Sequence, residues 1–290
     1  MYEEDFAYWR QRFVGSRFLN RWHGQGYEVL APGHKELDIT DADAVLRYMQ
    51  THRPDVVLHT AAISNTGYCE SHPEESYVVN TLSTIQMAQS AKNVGAGFVF
   101  FSSDQIYNGN TETGLLNENI SVSPVNHYGR HKLEAEQRVL DFMPEAVMLR
   151  ATWMYDIPRP GMPAHPNFFT NIRKAISEAN TISFAIHEHR GITHIDEVVE
   201  QLPLTFSLPG GVYNYGAENL HNTFDTAYSF VEQWKSNKVA SASVIADMER
   251  FAQQPRNISI SIAKIREASN GRIYFTETLE GLIQSCVRMD

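Results

Sequence analysis

Gly97-Phe98-Val99-Phe100-Phe101-Ser102 is an unbroken apolar run that closes on a hydroxyl, with Ser103 and Asp104 directly after it. A strand with one wet face alternates apolar and polar residues. A run without alternation, opened by a glycine, reads as a strand buried on both faces. Asp55-Val56-Val57-Leu58-His59-Thr60 upstream and residues 146–150 downstream read the same way. Longer amphipathic stretches separate them: residues 73–94, and a helix that carries Tyr128 and runs to about Phe142. Before these, residues 27–31 read as a strand and 41–52 as a helix, with Thr40 as its N-cap. Buried strands alternating with helices imply an α/β fold, a doubly wound parallel sheet covered on both faces. Such sheets bind ligands beyond the carboxyl ends of their strands. Asn65, Ser103 and Trp153 all fall just past strand ends, so they are expected to converge.

Beyond residue 150 the pattern loosens. Pro158, Pro160, Gly161, Pro163 and Pro166 mark a loop. Residues 167–179 and 222–234 read as helices and 181–186 and 211–215 as strands. Residues 191–196 lead into a helix, and the tail from 258 alternates briefly before turning helical. We read residues 1–150 as a nucleotide-binding-type domain and 151–290 as a smaller α+β lobe. The net charge of −10 argues against general affinity for nucleic acid or anionic membrane. No run of 18 apolar residues indicates a spanning helix, and the acidic start, Met1-Tyr2-Glu3-Glu4-Asp5, lacks the pattern of a signal peptide. Cys69 and Cys286 have no metal-ligand or CxxC spacing and read as thiols of a reducing cytosol. His187-Glu188-His189 reads as a surface loop.

Tyr128 and Lys132 stand four residues apart, on one face of their helix. A neighbouring ammonium favours the phenolate and lowers a tyrosine pKa from about 10. Such a tyrosine can give or take a proton near neutral pH, as carbonyl reduction requires. Of 13 tyrosines only Tyr128 has lysine at this spacing. The alternative is a solvated pair on a helix face, and Ser102-Ser103 at a strand end 25 residues upstream weighs against it.

The motifs then extend in both directions. Ser102-Ser103-Asp104-Gln105-Ile106-Tyr107-Asn108-Gly109, Asn117-Glu118, Pro124 and Tyr128-Gly129-Arg130-His131-Lys132-Leu133-Glu134 resemble the extended short-chain dehydrogenase/reductases. Leu37-Asp38-Ile39-Thr40-Asp41, His59-Thr60-Ala61-Ala62, Asn80 and Leu149-Arg150-Ala151-Thr152-Trp153 add to this, and the branch most resembled is the dTDP-4-dehydrorhamnose reductases. The resemblance implies a Rossmann-like fold and NAD(P)H-dependent reduction of a 4-keto sugar on a nucleotide. By position, Ser103 would bond the substrate carbonyl and Tyr128 would donate the proton. Lys132 would lower the tyrosine pKa and hold the nicotinamide ribose. Asp38 and Ile39 would flank the adenine, Ala61 and Ala62 would line the dinucleotide, and Asn80 would stand behind the site. Ser64 and Trp153 would line the sugar pocket. The family also allows a homodimer.

The start departs from the family. There an apolar strand leads into Gly-x-x-Gly-x-x-Gly, whose glycines let the backbone approach a pyrophosphate. Here only the third glycine, Gly15, is present, and Trp9 and Arg12 stand in place of the first two. Phe6-Ala7-Tyr8-Trp9 is the sole upstream strand candidate and is poor in β-branched residues. Two readings follow: an altered start that replaces the strand and loop, which the intact later elements favour, or a variant that has lost cofactor binding. After residues 27–31, His34 and Lys35 precede any acid, which points to NADP over NAD. Two rivals share the fold: a non-catalytic regulatory protein resembling the methionine adenosyltransferase β subunit, and a nucleotide-sugar epimerase.

Overall fold

The computed structural model describes residues 13–157, 159, 166–235 and 243–287. The expectations placed on Phe6–Trp9, Arg12, Pro158, Pro160, Gly161 and Pro163 lie outside them. In chain order, the first half gives α1 (Phe13–Trp22), α2 (Ala42–His52), β1 (Val56–His59), α3 (Thr66–Ser71), α4 (Pro73–Tyr77), α5 (Ser83–Val94), β2 (Gly97–Ser103), α6 (His127–Phe142) and β3 (Val147–Ala151). Then come β4 (Trp153–Tyr155), α7 (Phe168–Ser177), β5 (Thr181–Ala185), β6 (Glu188–Arg190), β7 (Ile192–His194), α8 (Ile195–Gln201), β8 (Gly211–Tyr215), α9 (Thr223–Lys235), β9 (Ser243–Asp247), β10 (Arg256–Ile258), α10 (Ala263–Ala268) and α11 (Thr278–Val287).

The central sheet is parallel, in the order β1-β2-β3-β8. Its last strand therefore comes from beyond residue 150. Both faces are covered, as the unbroken apolar runs require. On one face Val45 and Met49 of α2, Ile85 and Ala88 of α5, and Ala135 and Val139 of α6 pack with Phe98, Phe100 and Met148. On the other, Val14 and Phe18 of α1, Val198 of α8 and Ile265 of α10 pack with Val99, Phe101, Leu149 and Tyr213. The remaining strands form three parallel pairs, β10 with β6, β4 with β7 and β5 with β9. Among the described residues no helix is long and apolar enough to cross a membrane.

Three local expectations need correction. Residues 27–31 form no strand: one isolated bridge joins His23 to Tyr27, and no ladder ties the stretch to another strand among the described residues. A strand persists through its ladder partner. Here the neighbouring edge is β1, and a cavity of about 540 Å³ separates it from residues 27–32. For the same reason β1 is half-buried over Val56–Leu58, not buried throughout. The N-cap of α2 is Asp41, whose carboxylate accepts from Ala44 N–H at 2.9 Å. The Thr40 hydroxyl is committed instead to Asp38, at 2.7 Å. Finally, Glu188 and His189 lie in β6, not on a surface loop, and Glu188 is buried between Arg190 and Arg256.

Residues 73–94 are helical as the pattern predicts, but one π-helical turn, Val78–Leu82, interrupts the α-helix. Such turns widen a helix locally and re-aim side chains. This one carries Asn80 and Thr81, both fully buried.

Candidate active site

The carboxyl ends of β1 and β2 and the first turn of α6 meet at one place. Ser103 ends β2 and caps a short 3-10 turn, accepting from Gln105 N–H at 3.2 Å. Helix α6 starts against that turn: Asn126 caps it by accepting from Gly129 N–H at 2.7 Å and donates to Gln105 Oε1 at 3.0 Å. Gly129 is required here by close approach. A Cβ at this position would stand 2.4 Å from the Gln105 carbonyl and 2.8 Å from Pro124. Docked this way, α6 brings the buried Tyr128 phenol close enough to Ser103 for the serine to draw its pKa down.

The loop after β1 closes the other side. Tyr128 packs with Ile63 and Cys69, with Ala62, Tyr68 and Val79 against them. Asn80 holds that loop with both ends of its amide. Its Oδ1 accepts from Ile63 N–H at 2.9 Å, and its Nδ2 donates to the Ile63 carbonyl and to Ser76 Oγ, each at 3.0 Å. Asn80 therefore holds this loop at the Ile63 backbone. Ser76 in turn bonds His131 Nδ1 at 2.9 Å, and Thr81 donates to the His131 carbonyl at 3.0 Å. These contacts tie the helix bearing Asn80 to α6.

Electrostatics differ from the expectation drawn from spacing. Burial pushes the Tyr128 phenol well above its ordinary range; Cys69 and Asp104 push it further, and Ser103 pulls it back. Lys132 is not among the groups that move it. The Lys132 ammonium is 1% exposed and lies 3.9 Å over the Phe100 ring, a cation–π contact. Burial lowers it to about 7, against the opposing pull of Glu136 and Cys69. The spacing puts both residues on one helix face, as predicted, and Cys69 acts on both the phenol and the ammonium. Beneath Lys132, Glu136 pairs with Arg150 at 2.8 Å, and Arg150 donates to Tyr107 at 3.1 Å. Next to Lys132, burial drives His59 down to about 3, so it is neutral, bonding Thr84 at 3.1 Å.

The remaining expected residues are spread along the cavity and its rim. Gly15, Leu37, Ile39, His59 and Thr60 line the cavity, so one hollow runs from the start of α1 past the end of β1. Burial would raise the Asp38 carboxyl, but the Thr40 N–H and hydroxyl, helped by His34, bring it below its ordinary value. Ala61 is buried and Ser64 exposed. Trp153 is half-buried, edge-on to Phe168, with the Arg190 guanidinium 4.7 Å over its ring. Sequence reasoning passed over Asp104, Arg190 and Arg256. Asp104 lies inside the quoted motif, next to Ser103; the arginines lie 86 residues or more away, with no local pattern to mark them.

A parallel sheet with helices on both faces, and a serine, tyrosine and lysine gathered at its carboxyl edge, define the short-chain dehydrogenase/reductase class of fold and site. Residues 10–287 match the RmlD substrate binding domain family, and the chain belongs to that family. It is 23% identical over 255 residues to the dTDP-4-dehydrorhamnose reductase of Aggregatibacter actinomycetemcomitans, covering 83% of this chain and 84% of that one. It is 32% identical over 164 residues to methionine adenosyltransferase 2 subunit beta of Xenopus tropicalis, covering 56% and 48%. The fold superposes on the crystal structure of dTDP-4-dehydrorhamnose reductase from Bacillus anthracis, in complex with NADP, with a TM-score of 0.83 at 21% identity, over 97% of this chain and 98% of that one.

Proposed function

We propose that this chain reduces the 4-keto group of a sugar carried on a nucleotide, using a reduced nicotinamide cofactor. The observation that carries the reading is the meeting of Ser103 and Tyr128 at the end of β2, with Lys132 one turn further along α6. Tyr128 supplies the proton to the carbonyl oxygen, and the buried phenol is in its neutral, proton-bearing form throughout the physiological range. Ser103 offers a second hydroxyl to the same oxygen. The cofactor would supply hydride.

The residues suit a dinucleotide along the hollow beside β1. Gly15 at the start of α1, Ala61 and Ala62 after β1, and Asp38 with Ile39 at the far end would hold it. Asn80 would keep the alanine loop in place, and Lys132 would reach the nicotinamide ribose. His34 and Lys35, both exposed, would take a 2′-phosphate, which favours NADP, with NAD as the lesser ligand. Residues 151–290 supply the substrate-binding lobe, lending β8 back to the sheet, with Trp153 and Ser64 facing the sugar. A cytosolic location and self-association as a homodimer belong to the same reading.

The test is calorimetric titration of the chain with NADPH and with NADH. Micromolar binding, tighter for NADPH, supports the reading. A folded chain that binds neither contradicts it. That result would favour the second reading, a regulatory protein like the β subunit relatives.

A further inference from the structure

Asp104 is a carboxylate with no role in the proposed chemistry, yet its side chain is 3% exposed beside the reacting hydroxyls. Burying a charge is costly unless it is paired and hydrogen-bonded. It does not serve as a helix cap, because Ser103 already caps the turn that follows. Its Oδ1 accepts from Ser103 Oγ at 3.2 Å and from Gln105 Nε2 at 3.4 Å. Its Oδ2 faces Arg190 Nη2 at 3.4 Å. Arg190 arrives from β6, 86 residues away, and lies over Trp153.

The groups that face Asp104 form a short chain of alternating charge. Arg190 also meets Glu188 at 3.8 Å, and Glu188 meets Arg256 of β10 at 3.4 Å. Among the described residues Arg190 Nε and Arg256 Nε have no hydrogen-bond partner, so charge and stacking hold these arginines more than saturated hydrogen bonds do. Asp104 also acts on Tyr128 of α6, which packs with Cys69 of α3. Burial raises the Asp104 carboxyl, and Arg190, Arg256 and the Ser103 hydroxyl oppose that rise.

The geometry points to Asp104 as a positioning residue: anchored by Arg190, its carboxylate fixes the rotamer of the Ser103 hydroxyl beside Tyr128 for carbonyl reduction. This assignment rests on the reductase reading above. Serine has one hydrogen, and Asp104 Oδ1 accepts it at 3.2 Å. A carboxylate accepts only, so it holds the Ser103 oxygen in place at the strand end until a substrate carbonyl takes over the hydrogen. Because Arg190 stacks on Trp153, the same contact links the expected sugar pocket to the reacting serine.

Two measurements test it. The first needs no turnover: the aspartate carboxyl carbons are labelled with ¹³C and titrated by NMR, with the Asp104 signal assigned by its loss in Asp104→Asn. Ser103→Ala and Arg190→Gln should each raise the Asp104 midpoint by about half a pH unit or more, and Arg190→Lys should largely restore it. Unchanged midpoints overturn the assignment, whether or not a ketone is reduced. The second is the pH profile of kcat. Asp104→Asn should lower kcat about tenfold or more while leaving KM for NADPH within about twofold. It should also move the alkaline limb to lower pH, since a negative charge beside the phenol is lost. A parental profile in that variant overturns the assignment. If the parent reduces no keto-sugar nucleotide, the reductase reading fails and the NMR result alone decides the contact. If Asp104→Asn does not fold, the Arg190 pair and Ser103→Ala carry both measurements.

Discussion

Tyr128 and Lys132 share a helix face, yet one is a phenol held neutral and the other an ammonium held close to neutrality by the same cause, burial. Spacing made the pair legible in the sequence, because i and i+4 meet on any helix. Spacing does not reveal what the sheet places under each residue. Phe100, buried beneath Lys132, holds the ammonium over its ring. This arrangement has a measurable cost. In the unfolded chain Lys132 titrates near 10.5 and in the folded chain near 7. A depressed folded value means that the unfolded state binds the extra proton between these limits. Stability should therefore rise with pH from about 7 to about 10, and the penalty is complete below 7. Lys132→Met should be more stable than the parent at pH 7 by about 2–4 kcal/mol. Denaturant melts across that pH range should show the gap closing as the pH rises; a constant gap would mean that the ammonium is solvated.

Among the elements, the strands and helices most legible in sequence are those whose burial is set by the central sheet. The run from Gly97 announced β2 because both its faces meet helices, and Gly211–Tyr215 needed no correction. Residues 27–31 misled because a strand is a property of a pair, and composition describes only one member. The π turn at Val78–Leu82 was invisible to apolar spacing; it carries Asn80, whose amide reaches across to Ile63 in another segment. Asn80→Ala should release the bonds to Ile63 and Ser76 at once. It should cost about 2–3 kcal/mol by denaturant melts, and hydrogen exchange at the Ile63 amide should accelerate; unchanged protection there would show that the loop holds itself. At the other wall of the site, Gly129→Ala places a methyl against the Gln105 carbonyl. Helix α6 must then back away from Ser103. Turnover should fall roughly a hundredfold, since a displacement of about 1 Å can cost that much, while the far-ultraviolet circular dichroism should stay that of the parent.

Across the whole molecule, long-range polar chains join parts that the sequence reads separately. Glu136 of α6 pairs with Arg150 of β3, Arg150 reaches Tyr107, and Tyr107 donates to Asn214 of β8 at 2.7 Å. Asn214 donates in turn to the Leu116 and Ser261 carbonyls at 2.8 and 2.9 Å. The helix that carries Tyr128 is thus tied to the C-terminal strand of the sheet. The Arg17–Asp156 ion pair joins α1 to the segment after β4 in the same way. Sequence patterns reveal apolar faces, and these pairs are buried charges from distant segments, so no periodicity foretells them. Arg150→Met should leave Glu136 charged and unpaired. A loss of about 3–5 kcal/mol in denaturant melts is expected, most of it recovered in the double variant with Glu136→Leu; a small loss would mean that water reaches Glu136.

The site, the elements that build it and the charges that brace it all serve one claim, that Tyr128 delivers a proton while a nicotinamide gives up hydride. The most direct measurement is the loss of NADPH absorbance when the chain is mixed with a nucleotide-linked 4-keto sugar, for the parent and for Tyr128→Phe. Stoichiometric NADPH oxidation by the parent is expected, with a rate at least about a hundredfold lower in the variant. Equal rates in the two chains, or tight NADPH binding by the parent with no oxidation of it, would contradict the account.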